Sequence, residues 1–138
     1  MKFTDISTLL LRFALASGFI SAVASRLSLW GQKSSGWDNF LAYTSQVNSF
    51  IPKNMIPAIA VAVTILEAGL GILLLIGFKT NCAAFATALL TLLFAVSMTY
   101  SFGIKEPLDY SVFTFSAGAF LLATMPYYKW SIDQLLIK

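Results

Sequence analysis

Histidine is absent from the 138 residues, cysteine occurs once, and charged side chains make up only 11% of the chain. Each scarcity excludes some chemistry. Without histidine the chain alone cannot build histidine-ligated haem, histidine-containing zinc sites, or relays in which imidazole activates a serine or cysteine. Cys82 on its own allows no internal disulfide and no Cys-x-x-Cys pair. Nine basic residues against six acidic ones give a net charge of +3. They are scattered rather than clustered, so no nucleic-acid surface is expected. A nucleotide loop is missing too, because Gly69-Leu70-Gly71 is followed by Leu74 where Gly-x-Gly-x-x-Gly requires glycine. No metal site and no intrinsic cofactor are therefore expected.

What is abundant is apolar. Hydrophobic residues make up 58% of the chain, against about 45–50% in a soluble globular domain, and the mean hydropathy is +0.80. Such a chain needs lipid as its solvent. A crossing takes about 20 apolar residues, and the sequence offers four such stretches, at about 6–30, 55–78, 82–102 and 110–127. The fold class expected is an all-α integral membrane protein, a four-transmembrane-helix up-and-down bundle forming a single domain over 1–138. Pro57 fits the first turn of the second crossing, where a missing N–H costs nothing. Gly77 fits that helix's end, and Lys79-Thr80-Asn81 forms the turn to the third crossing. The first stretch also imitates a signal peptide, with Ala22-Val23-Ala24 as a cleavage site. Asp5 and Arg12 spoil that pattern, and the segment is read as a retained helix.

Between the first two crossings, residues 37–51 are of a different kind. Trp37, Phe40, Leu41, Thr44, Val47 and Ile51 recur at spacings of three and four, with Asp38, Asn39, Ser45, Gln46 and Asn48 opposite. This is an amphipathic helix of about four turns, too polar to span and suited to the membrane interface. It serves either as a surface helix over the bundle end or as a cover for a ligand.

Four crossings put both termini on one side. Trp30, Trp37, Tyr43, Tyr100 and Tyr110 gather at one interface, and Tyr127, Tyr128 and Trp130 at the other. Orientation is not decided by charge. Lys2, Lys79, Lys129 and Lys138 on the terminal side balance Arg26, Lys33, Lys53 and Lys105 on the other. Cytoplasmic termini are taken as the working expectation. Small residues at four-residue spacing (Ala14, Gly18 and Ala22; Ala60, Thr64 and Ala68) predict close helix packing.

The informative residues are the intramembrane charges, since an ionised side chain at the bilayer centre costs about 2.5–3.5 kcal/mol. Glu67 falls near the middle of the 55–78 crossing, and Arg12 lies inside the first. Pairing Arg12 with Glu67 across antiparallel neighbours would keep both charged. The pair reads either as a register pin or as the polar wall of a quinone or ligand cavity. A second polar cluster is expected toward the other side. Arg26, fourteen positions after Arg12 and on nearly the same helix face, could meet Lys105, Glu106 and Asp109 beside Tyr110. Trp37 and Tyr43 offer flat surfaces for a ligand ring or for lipid.

At these residues the chain resembles the DoxX family of small bacterial membrane proteins. The resemblance is carried by Leu11-Arg12-Phe13, by the stretch from Ile65-Leu66-Glu67-Ala68-Gly69 through Gly77-Phe78-Lys79-Thr80, by Asp109-Tyr110-Ser111, and by Trp130-Ser131-Ile132-Asp133. An acid expected just before Arg26 is Ser25 here, which removes that arginine's nearest partner. The resemblance implies a multi-pass protein of the bacterial cytoplasmic (inner) membrane. It also implies a role as the membrane or quinone-facing subunit of an oxidoreductase system, with a quinone as the possible cofactor and a soluble or membrane oxidoreductase as partner. The alternative it implies is a non-catalytic assembly or scaffold subunit that binds partner proteins or lipid.

Overall fold

The computed structural model describes residues 2–137, and among them every regular element is helical. Lys138, counted above with the terminal-side charges, lies outside the described residues. In chain order the helices are α1 (Phe3–Arg26), α2 (Trp37–Val47), α3 (Ile56–Ile76), α4 (Thr80–Phe102), α5 (Lys105–Asp109), α6 (Val112–Ala123) and α7 (Ile132–Leu136). Short 3-10 turns at Gly31–Lys33 and Lys53–Met55 flank α2 on either side.

Three helical stretches are long and apolar enough to cross a membrane: Phe3–Arg26, Lys53–Ile76 and Thr80–Phe102. Their ends follow local rules. Pro57 lies in the first turn of α3, and Gly77 ends it in the left-handed conformation (φ 70°), a backbone state that glycine adopts without the Cβ penalty. The fourth stretch differs from the expected 110–127 crossing, because its helix covers only the 12 residues Val112–Ala123. At about 1.5 Å per residue that is about 18 Å, short of the roughly 30 Å hydrocarbon core. Tyr110 and Ser111 do not join the helix, since Ser111 takes a left-handed backbone (φ 56°) and turns the chain between α5 and α6. At the other end Thr124 and Pro126 stop it.

The four main helices close into a ring in which α1 packs on α3, α3 on α4, α4 on α6 and α6 on α1. Small side chains make the close approaches possible: Ala16, Ala60, Ala84, Ala95 and Ala119 are fully buried. Gly18 carries the Phe115 ring directly over it, and Gly71 lies against Phe19 and Ile20. Large apolar residues such as Ile65, Ile72, Leu93 and Val96 point outward, as lipid-facing positions do. Helix α2 ends at Val47 instead of running to Ile51, and Ser101 of α4 donates to the freed Val47 carbonyl. It lies across the ends of α3 and α4 and bridges them, burying Thr44 and Val47.

Candidate functional site

Two buried arginines on one face of α1 organise opposite ends of the bundle. Arg12, only 2% exposed, does not reach Glu67. Its Nη2 donates to the Trp130 carbonyl at 2.8 Å, and Nη1 reaches the Lys129 carbonyl at 3.4 Å. The expected Arg12–Glu67 pair is therefore corrected, and helix register supplies the reason. Gly71 faces Phe19 and Ile20, which brings the Gly77 turn to the level of Arg12. Glu67 stands ten residues up α3 from that turn, about 15 Å away. An arginine side chain does not cover that distance.

Arg12 instead forms the centre of a clasp on the segment after α6. Asp133 of α7 accepts from the Lys79 and Thr80 amides at 2.6 and 2.7 Å. It thereby caps α4 from a distant part of the chain, since the first turn of a helix has amides with no intrahelical partner. The Asp133 amide in turn donates to the Gly77 carbonyl at 2.9 Å. Below this, Asp5 accepts from the Tyr127 hydroxyl at 2.7 Å and pairs with Lys129 at 3.2 Å. The segments around Arg12, Gly77-Phe78-Lys79-Thr80 and Trp130-Ser131-Ile132-Asp133 thus meet in one place.

The ion pair of the interior is Arg26 with Glu67. Arg26 Nη1 contacts Glu67 Oε2 and also donates to the Thr64 hydroxyl at 3.2 Å, which in turn donates to the Ala60 carbonyl at 2.8 Å. Arg26 is 9% exposed and Glu67 3%. The Phe40 ring of α2 covers the guanidinium, its centroid 3.9 Å from Cζ, a cation–π contact that holds the charge in place where water is scarce. The pair is not saturated. Glu67 Oε2 is taken up by the Arg26 contact, whereas the other carboxylate oxygen and the guanidinium nitrogens other than Nη1 have no hydrogen-bond partner among the described residues.

Beside this pair lies a cavity of about 430 Å³, walled by α2, α3 and α4 and by the residues between α2 and α3. Arg26 and Glu67 form its polar wall. Phe40, Tyr43, Phe50, Phe94 and Met98 are among its apolar ones, with Thr44, Asn48 and Ser97 adding a few polar atoms. Burial, and to a smaller extent Tyr110 and Glu106, pushes the Tyr43 phenol above its ordinary pKa. It therefore stays a neutral hydrogen-bond donor. The volume falls within the roughly 300–1,000 Å³ of ligand sites, which are apolar with a few convergent polar groups.

The second expected cluster does not assemble. Lys105 and Asp109 pair with each other one helical turn apart on exposed α5, and Tyr110 is 66% exposed. Arg26 is drawn inward by Glu67 and Thr64 instead of outward to that loop. Ser25, standing where an acid was expected, anchors the loop before α2 by accepting from the Ser35 amide at 3.0 Å. Trp37 packs on Phe40, with centroids 5.6 Å apart, and so supports the cover of Arg26 without lining the cavity. Tyr43 does line it and stacks on Phe102. Thr64, Phe40 and Asp133 were not singled out as site residues from the sequence. Phe40 lies on the apolar face of an amphipathic helix, and Asp133 lies after the last long apolar stretch. Among the described residues no group of three or more acidic or cysteine side chains could hold a metal ion.

The DoxX family model matches residues 7–100, which include both arginines, Glu67 and all of α2 and α3. No curated protein and no solved structure matches the chain.

Proposed function

The chain belongs to the DoxX family and is a multi-pass membrane protein, and from that premise we propose that it is the membrane-embedded, quinone-facing subunit of an oxidoreductase system in the bacterial cytoplasmic membrane. In this reading the stretch at about 110–127, of which α6 is the helical part, makes the fourth crossing, α2 lies at the interface, and a soluble or membrane-bound oxidoreductase docks on the assembled bundle.

The observation that carries the reading is the unsaturated Arg26–Glu67 pair at the wall of a largely apolar cavity. A charge pair inside a membrane protein is costly and marks ligand sites and pathways more often than in soluble cores. The residues fit a quinone head. Arg26 retains donors for a ring carbonyl, Glu67 offers an acceptor for a ring hydroxyl, and Tyr43 and Phe94 supply flat apolar walls. A quinone would supply the two-electron, two-proton chemistry that no side chain of this chain provides. The protein's own part is to bind the ring, orient it against Arg26, and keep water away beneath Phe40 and α2.

A second reading, a non-catalytic assembly or scaffold subunit, is favoured by Arg12, whose buried charge does purely architectural work in the clasp. Extraction of the protein purified with its native lipids separates the two. A stoichiometric quinone in the wild type, lost from Arg26→Met/Glu67→Leu, in which the whole pair is replaced and the melting profile is retained, supports the first. A wild-type chain that yields no quinone, yet co-purifies with protein partners, sinks it in favour of the second.

A further inference from the structure

Arg26 and Glu67 neutralise one another, so the cavity's polar wall carries no net charge. An anionic head group brought to Arg26 would also face the Glu67 carboxylate at contact distance. A phosphate or ionised acid would be repelled by one half of the pair as strongly as the other half attracts it. An uncharged head whose oxygen accepts from the guanidinium, or whose hydroxyl also donates to the carboxylate, suits this wall.

The cavity also has a sideways exit. Its α3 wall is Ile59, Val63 and Glu67, and its α4 wall includes Leu90 and Leu93, each set at the three- and four-residue spacing of a single helix face. Leu93 belongs to this wall and yet is 65% exposed on the outer surface. The cavity therefore opens below α2, between α3 and α4, along the stretch of both helices that is read as crossing the hydrocarbon. Above it α2 bridges α3 and α4 and closes the route toward the loops.

We propose that the site takes an uncharged, single-tailed amphiphile directly from the bilayer, its polar head held by Arg26 and Glu67 and its tail lying past Leu93 between α3 and α4. The ring of the head is the part that rests on the quinone reading above; lateral entry and the neutral head do not. Leu93→Trp fills the gap with a bulky side chain at an already exposed position, and Ile72→Trp, on the outer face of α3 away from the cavity, controls for the bulk.

Binding is measured with the full chain in phosphatidylcholine nanodiscs, titrating a benzoquinone with a polyisoprenyl tail, its tailless methyl analogue, a long-chain alkanol and phosphatidylglycerol. Leu93→Trp is expected to weaken the tailed quinone by about tenfold, equivalent to about 1.4 kcal/mol, to leave the tailless analogue unchanged, and to differ in this from Ile72→Trp. If the tailed quinone binds and Leu93→Trp has no effect on it, lateral entry is overturned while the quinone reading stands. If neither quinone binds but the alkanol does, with the same Leu93 dependence, lateral entry stands and the quinone reading fails. Saturable, Arg26-dependent binding of phosphatidylglycerol overturns the neutral-head assignment.

Discussion

Arg12 donates to the main-chain carbonyl of Trp130 at 2.8 Å, joining positions separated by 118 residues. A fully charged side chain is thus spent on holding two carbonyls that have left helical structure. In a low-dielectric setting an unpaired carbonyl costs several kcal/mol, so the arginine and the segment after α6 depend on each other.

Arg12→Leu removes the donor and leaves the Lys129 and Trp130 carbonyls without it. The expected loss is about 1–3 kcal/mol of stability. It should appear as a lower melting temperature in detergent and faster tryptic cleavage at Lys129. A variant that melts and resists trypsin like wild type would remove the clasp from the account.

The Arg26–Glu67 pair calls for a double-mutant cycle. Arg26→Met alone strands a buried carboxylate, for which about 3–5 kcal/mol is expected. Arg26→Met combined with Glu67→Leu should recover much of that, since an apolar replacement of a whole buried pair is often neutral. Additive losses in the melts would show that the two residues are energetically independent.

At Gly77 a Cβ would collide with Ser131 Cβ and meet Arg12 Nη1 at 2.9 Å, on a backbone with φ +70°. Gly77→Ala should cost more than the roughly 1 kcal/mol of backbone strain alone, because it also pushes the Ser131 segment off the bundle. Gly69→Ala is the matched control. Its Cβ would meet nothing within 4 Å, and a gain of up to about 1 kcal/mol in helix propensity is expected. Equal melting shifts for the two glycines would contradict the packing described.

Asp133→Ala deletes both acceptors of the Lys79 and Thr80 amides. A capping loss of about 0.5–2 kcal/mol is expected. Hydrogen exchange localises the effect: amides at the start of α4 should lose protection, while those around Glu67 keep theirs.

Much of this architecture could be read from the sequence because lipid imposes strong rules. Long apolar runs placed α1, α3 and α4, and Pro57 and Gly77 marked the ends of α3. The amphipathic pattern located α2 but overran its end, because Val47 finds a side-chain partner in Ser101 and needs no further turn. Periodicity says which face Arg12 and Arg26 share but not how far α1 slides along α3. That slide is set by Gly71 accepting Phe19 and Ile20, and it decides which arginine meets Glu67. Hydropathy likewise could not show that the apolar stretch after residue 110 breaks at Ser111, a left-handed residue whose side chain gives no warning of it. The clasp was beyond reach, since nothing in the local pattern of residues 129–133 names a partner more than fifty positions back.

The remote cap on α4 also bears on how the chain is made. Thr80 must wait for Asp133, 53 positions later. At about 5–20 residues per second of synthesis that is roughly 3–10 seconds. During that interval the start of α4 enters the membrane with its leading amides bonded to water or headgroups. The turn between α3 and α4 is completed only when the segment after α6 folds back onto it, so α7 acts as a latch closed after the long helices are in place.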